Sequence, residues 1–288
     1  MLLRLHLSFL AIISGITANA DAIRIAVSDV IASHVSETIQ TLAKDKAVEI
    51  SVVSIGSLPA MEYLRSDEIS LAVIASPEGS ELPDDMFRTF NFAYSTAVVA
   101  VGEANPVREV SFDDLRGIFG SDSDLNVDTW GALGIKSLGS RSIKPLIRQN
   151  DANISTELFR HRVLQGEAMK LRVNEVIGSE IEEMLLDNVA AVAILPYLPD
   201  NEKIKALMIS MDSHGPAFGP TNDNVYYGDY PIRLPFRIVY KKDREPALWE
   251  TLRILLSDEV TEALRESHLF VPPDTIRMSF VRSLSPAE

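Results

Sequence analysis

The chain contains no cysteine. Disulfides, thiol nucleophiles and Cys-ligated zinc are therefore excluded, and no residue is available for a lipidated-cysteine anchor. Positive charge is also scarce. Lys and Arg number 27 against 41 Asp and Glu, a formal net charge of -14. That balance argues against nucleic acid, whose phosphates are neutralised by Lys and Arg. It does not steer an anion by net field either, so an anionic ligand would rely on local positive charge in a cleft. No apolar run approaches the ~20 residues of a membrane span. HExxH, GxSxG, GxGxxG and P-loop patterns are missing, and His34, His161, His214 and His268 are scattered. A hydrolase would need a nucleophile–base pair that the sequence does not display. The expectation is a protein that is not an enzyme and uses no cofactor and no metal.

What is present is ordinary globular material: 288 residues, 46% hydrophobic and 24% charged, enough for two lobes. Arg4 and the apolar stretch Leu5 to Ile16 precede Ala18-Asn19-Ala20, an Ala-x-Ala cleavage pattern. Residues 1–20 thus read as a signal peptide, and the mature protein as periplasmic.

After it, Ile23 to Val27 reads as a strand ended by Ser28 and Asp29. A helix follows with Val35, Ile39, Leu42 and Ala43 on one face. Val48 to Val53 is a second strand. Gly56 and Ser57 make a turn into a helix whose first turn takes Pro59. Ser70 to Ile74 is a third strand. Strand–helix alternation at this spacing predicts a parallel sheet. Ser95 to Val101 is apolar enough for a buried strand and a crossing between lobes. Lys144 to Arg148, Ala190 to Leu195 and Ile204 to Ile209 read as strands, and Ile154 to Leu164 and Ile181 to Leu186 as helices. Ser213 to Asn224 is rich in Gly, Pro and Asn and reads as a loop. Tyr230 to Tyr240 is a second crossing, with Pro231 and Pro235 demoting its start to an edge or irregular strand. Helices follow from Leu248 to Leu256 and from Ser257 to Leu264.

The segment Val110 to Trp130 carries the most information. Phe112, Leu115, Ile118 and Phe119 lie on one helix face, Ser111 and Asp114 form an approximate capping box, and Gly120 stops the helix. Asp113-Leu115-Arg116-Ile118-Phe119 with Trp130 resembles the segment that opens the second lobe in the phosphate-binding-protein group of periplasmic solute receptors. Three further stretches resemble that family in the same order: SIGS at 54–57, GDYPIRLPFRIVY at 228–240, and LLSDEVTEALRESHLFVPP at 255–273. The resemblance covers nearly all of the mature chain. It implies an α/β fold of the type II periplasmic binding protein, two-lobed, with mixed sheets and two crossing strands. Lobe 1 would comprise 21–95 plus 236–288, and lobe 2 would comprise 96–235. It also implies a monomer that binds a small, oxyanion-like molecule between the lobes and docks on an ABC permease.

In that family the anion is held by helix N-termini, hydroxyls and one arginine, without a metal. The residues here that fall at those positions are Ser28, Asp29, Ser57, Arg148, Asn153, Ser155 and Thr156. Ser57 and Arg148 match the pattern. Asp29 stands where the family has a hydroxyl, Ala75 where it has an acceptor aspartate, and Asn153-Ile154-Ser155 where it has Ser-Gly-Thr. The same serines also suit helix capping, and Arg148 a structural ion pair. Asp122, Asp124, Asn126 and Asp128 have the spacing of a calcium loop. Val127 and Leu133 replace its Gly and Glu, so a solvated acidic loop is expected. The alternative to an importer's receptor is a receptor-fold protein with a degenerate site, acting as a sensory or structural partner.

Overall fold

The computed structural model describes residues 22–80, 85–121, 126–149 and 154–284. The signal-peptide reading, Asp122, Asp124 and Asn153 lie outside the described residues. Two five-stranded mixed sheets organise the chain.

In the first sheet, β1 (Ile23–Ser28) lies between β2 (Ile50–Ile55) and β3 (Leu71–Ala75) and is parallel to both. The connecting helices are α1 (Ala32–Asp45) and α2 (Ser57–Arg65). The apolar period predicted for α1 is real: Val35, Ile39 and Ala43 are buried, while Leu42 is only partly so. Two long antiparallel strands complete the sheet, β4 (Phe87–Thr96) at its edge and β12 (Arg233–Lys241) between β3 and β4. Helices α7 (Glu245–Leu255), α8 (Asp258–Glu266) and α9 (Asp274–Ser283) follow β12. Ser257 caps α8, its Oγ accepting from the Val260 backbone.

The second sheet has the order β10 (Ile204–Ala206), β5 (Val98–Gly102), β9 (Ala191–Leu195), β7 (Lys144–Arg148), β8 (Asn174–Val176). Strands β7, β8 and β9 run parallel, and β5 is antiparallel to β9. Helices α4 (Ser155–Arg162) and α5 (Ile181–Asp187) belong to this half, and β6 (Glu109–Ser111) pairs with β11 (Met208–Ser210) in a two-stranded ribbon.

The lobe-opening helix α3 (Phe112–Phe119) has the limits that its sequence indicates. Ser111 Oγ accepts from the Asp114 backbone N–H, and the Asp114 carboxylate accepts from the Ser111 N–H, a complete capping box. Phe112, Leu115, Ile118 and Phe119 are buried, and Phe119 meets Phe159 of α4 edge-on at 5.1 Å. Arg116 reaches across to donate to the Val163 carbonyl just past α4. Fully buried Trp130 donates its indole N–H to the Ala190 carbonyl at 3.0 Å. The motif is therefore a brace that fixes α4 and the start of β9.

Several expectations need correction. Gly120 ends α3 with φ -78, not in the left-handed region; glycine is needed because a Cβ there would fall 2.8 Å from the Arg116 carbonyl. The stretch 95–101 is not one strand. It breaks at Ala97, where the chain leaves the first sheet for the second. The Ala97 backbone is satisfied there by the Ile232 carbonyl and the Tyr230 hydroxyl. Ile204 to Ile209 also divides, into β10 and β11, which enter different sheets. Strand β12 is interior from Phe236 onward, while its start, Arg233–Pro235, pairs with β4 alone and is edge-like as expected. Pro235 is tolerated because it lies one residue beyond the β3 pairing, where its carbonyl accepts from Ser76, and a bulge follows at Phe236/Arg237. The second strand starts two residues later than its apolar run. The loop predicted through Asn224 gives way at Asn222 to α6 (Asn222–Tyr227), capped by Thr221. In the acidic loop, Lys170 donates to the Asn126 side-chain oxygen, and Asp128 pairs with Lys170 and Arg172.

Candidate functional site

In open α/β sheets ligands sit outside the carboxyl ends of parallel strands. In the first sheet those ends are Ser28 on β1 and Ala75 on β3; in the second, Arg148 on β7. Ser28 is buried, and Asp29 is exposed in the turn that follows. Ser57 is the first residue of α2, and its Oγ accepts from the Ala75 backbone N–H at 2.9 Å. The hydroxyl proton of Ser57 is left to donate elsewhere. Ser57 and Ala75 are thus brought together.

None of the three serines is a side-chain cap. The N-cap positions of α1, α2 and α4 are Ile31, Gly56 and Ile154, and none has a side-chain cap hydrogen bond. Ser155 is fully buried and Thr156 partly so, both in the first turn of α4.

Arg148 is half-buried, with its guanidinium packed on the backbone of Gly178, where a Cβ would displace it. Its Nε–H is buried and has no hydrogen-bond partner, and no ion pair reaches it among the described residues. The structural ion pair that would explain this arginine otherwise is therefore missing among them. Tyr197 lies close enough to feel the Arg148 charge. Its hydroxyl donates to Glu182 at 3.0 Å, and burial, reinforced by that carboxylate, pushes its pKa up to about 12. The Tyr197 ring also packs on His268, which follows α8 in the other half of the molecule.

A cavity of about 330 Å³ opens where the two halves face each other. Ala75, Pro77 and Leu234 form one wall; Ile154 and Leu158 of α4 form the other. The two positions that depart most from the family's anion pattern, Ala75 and Ile154, are the predicted-site positions that line it. At the rim, Arg233 pairs with Glu78 at 2.7 Å, donates to the Val225 and Tyr226 carbonyls of α6, and lies 5.4 Å from the Tyr94 ring. Below it, half-buried Arg237 donates to Asn91 and Ser76, and burial lowers its pKa. Cavities of about 440, 560 and 340 Å³ lie away from these strand ends, against α9, at the start of β1, and between the end of β5 and the end of α5.

Sequence reading missed Leu158, Arg162, Glu78 and Arg233 as neighbours of the site. The period of α4 contained a signal: Ile154, Leu158 and Arg162 recur at four-residue spacing and share a face. Glu78 had none, because its partner Arg233 is 155 residues away.

Among the described residues no group of His, Asp and Glu could hold a metal ion, and no helix is long and apolar enough to cross a membrane. No curated protein matches the chain. Solved structures with the same fold are a possible phosphate-binding protein from Planctomyces limnophilus, an ABC-type phosphate transport receptor from Vibrio cholerae, and PstS from Borrelia burgdorferi. Their identities are 16%, 18% and 12%, with TM-scores of 0.69, 0.60 and 0.69. The alignments cover 91%, 87% and 88% of this chain and 96%, 100% and 99% of those chains. A two-lobed periplasmic-binding-protein fold is thereby established. The family model described as the PBP superfamily domain matches residues 14–259, and the chain belongs to that family.

Proposed function

We propose that this protein is an exported, non-enzymatic solute receptor that binds a small anion between its lobes and delivers it to an ABC permease. The observation that carries the reading is Arg148: a half-buried arginine at a strand end, with a buried N–H that nothing in the described chain satisfies. The Nε atoms of Arg172 and Arg277 are also unsatisfied, but those side chains are ion-paired with Asp128 and with Asp258 and Asp274. Arg148 has no carboxylate among the described residues, and a ligand anion supplies the missing partner. Ser57, Ser155 and Thr156 are the accompanying polar contacts, with Ser28, Asp29 and Asn153 at the margin. The Vibrio cholerae neighbour, an ABC-type phosphate transport receptor, supports the class of function. The lobes, 21–95 plus 236–288 and 96–235, would close about the crossings near Ala97 and Arg233, the usual motion of such receptors. Export would follow cleavage after Ala20, giving a monomeric periplasmic protein.

Inorganic phosphate itself is a poor fit. Ala75 cannot accept the proton that phosphate carries at neutral pH, Asp29 adds a like charge nearby, and Ile154 denies the close backbone approach that glycine gives. Mass spectrometry of protein purified under native conditions should identify a trapped small anion, and X-ray scattering should show a smaller radius of gyration when it is bound. A protein that carries no ligand and keeps one radius with every anion offered would contradict the reading.

A further inference from the structure

We infer that the anion is amphipathic: a monocarboxylate with an apolar body lying in the cavity between Ala75 and Ile154. This rests on the receptor reading and narrows it. Five apolar side chains from both halves, Ala75, Pro77, Leu234, Ile154 and Leu158, form the walls of the open cavity of about 330 Å³, with charged side chains completing its lining. A bare oxyanion gains no hydrogen bond from such walls and loses its water against them. An alkyl or aryl group gains by every methylene it buries.

The polar residues are adjacent to this lining. Ala75 is bonded through its N–H to Ser57 Oγ, and Ile154 directly precedes Ser155. An acid group held beside Ser57 has Ala75, the first residue of the apolar lining, directly against it. The sign of the charge follows from the rim. Glu78 is paired with Arg233, and Glu157 with Arg160 at 2.9 Å. Arg162 also lines the cavity; its Nε donates to the Pro231 carbonyl, and no carboxylate pairs with it among the described residues. Two glutamates and two arginines line the cavity. Both carboxylates are paired, one of them with Arg160 outside the lining, and Arg162 is left as the cation without a carboxylate partner, which favours an anion over a cation or a zwitterion.

The test is calorimetric titration of the purified, ligand-stripped full chain with straight-chain carboxylates from acetate to octanoate, and with inorganic phosphate. The dissociation constant should fall about fourfold per added methylene until the cavity is filled, while phosphate gives no measurable heat. Ile154→Ser and Leu158→Ser should flatten the chain-length series. Arg148→Gln should weaken every member by one common factor and leave the slope unchanged. Far-ultraviolet circular dichroism and a thermal melt establish that each variant is folded. The inference is overturned by a series with no slope, or by a trapped ligand without an apolar portion. If phosphate binds tightly and closes the lobes while the series stays flat, the inference fails and the receptor reading stands. If no probe binds and nothing is trapped, both fail.

Discussion

The lobe-opening segment and the end of β7, both in the second half of the fold, treat their polar groups in opposite ways. From Ser111 to Trp130, the groups that matter are paired internally: the capping box closes on itself, Arg116 reaches the Val163 carbonyl, and Trp130 reaches Ala190. At the end of β7, Arg148 keeps a buried N–H without a partner, and the next helix, α4, starts at Ile154 without a side-chain cap. Satisfied groups hold a fold; an unsatisfied buried donor costs stability and is retained where something else uses it. The comparison therefore separates a scaffold from a site, and each of the following substitutions should move one property and leave the other.

The largest effect is expected at Trp130. Its side chain is fully buried and its N–H is bonded inside the core. Trp130→Ala should cost about 3–5 kcal/mol of unfolding free energy, read as a lower denaturant midpoint. Whatever protein remains folded should bind ligand with unchanged affinity. Arg148→Ala reverses the pattern. Stability should stay within about 0.5 kcal/mol, since no protein partner is lost. Ligand affinity should fall by about 1.5–3 kcal/mol, the contribution of a hydrogen bond to a charged group, measured by titration. If Arg148→Ala instead unfolds the protein and spares binding, the arginine is structural.

A pair of glycines sharpens the contrast. A Cβ at Gly178 would fall 2.5 Å from Arg148 Nε, the end of a flexible side chain that can swing away. Gly178→Ala should therefore displace the guanidinium and lower ligand affinity with little change in melting temperature. A Cβ at Gly120 would fall 2.8 Å from the Arg116 carbonyl, which is backbone and cannot yield cheaply. Gly120→Ala should cost about 1–3 kcal/mol of stability, in the range of overpacked cores, and leave affinity alone.

The scaffold was legible in the sequence because local chemistry determines it. Ser111 and Asp114 stand three residues apart, and the apolar face of α3 repeats within two turns, so short-range spacing contains the answer. The same holds for β7, whose limits follow from its apolar run. The site was legible only as far as strand ends and the family's pattern reach. Arg148 and Ser57 could be named, but the apolar wall could not, because Ala75, Leu234 and Leu158 come together only through the crossings. Those crossings were the weakest part of the reading. A break at Ala97 has no turn residue to mark it; long-range bonds from Tyr230 and to Ile232 impose it. Pro235 correctly marks the edge-like, irregular start of β12, but no local rule shows that the strand becomes interior from Phe236 onward.

The smallest predicted effect is also the cleanest test of the division, because it compares serine with serine. Ser111 Oγ accepts from the Asp114 N–H at 3.1 Å and donates to the Asp114 carboxylate at 2.8 Å. Ser111→Ala removes the cap and should cost about 1 kcal/mol, while Ser111→Thr, which keeps the hydroxyl, should cost much less. Neither should change ligand affinity, because α3 meets α4 at Phe159 and Val163, which do not line the cavity. Ser57 is also at a helix start, but its oxygen accepts from Ala75 across the sheet and is not a cap. Ser57→Ala should therefore weaken ligand binding by more than Ser111→Ala does, even if chemical denaturation finds the two equally destabilised. Equal affinities for the two alanine variants would mean that Ser57 belongs to the scaffold, and would remove the hydroxyl contact from the first wall of the cleft.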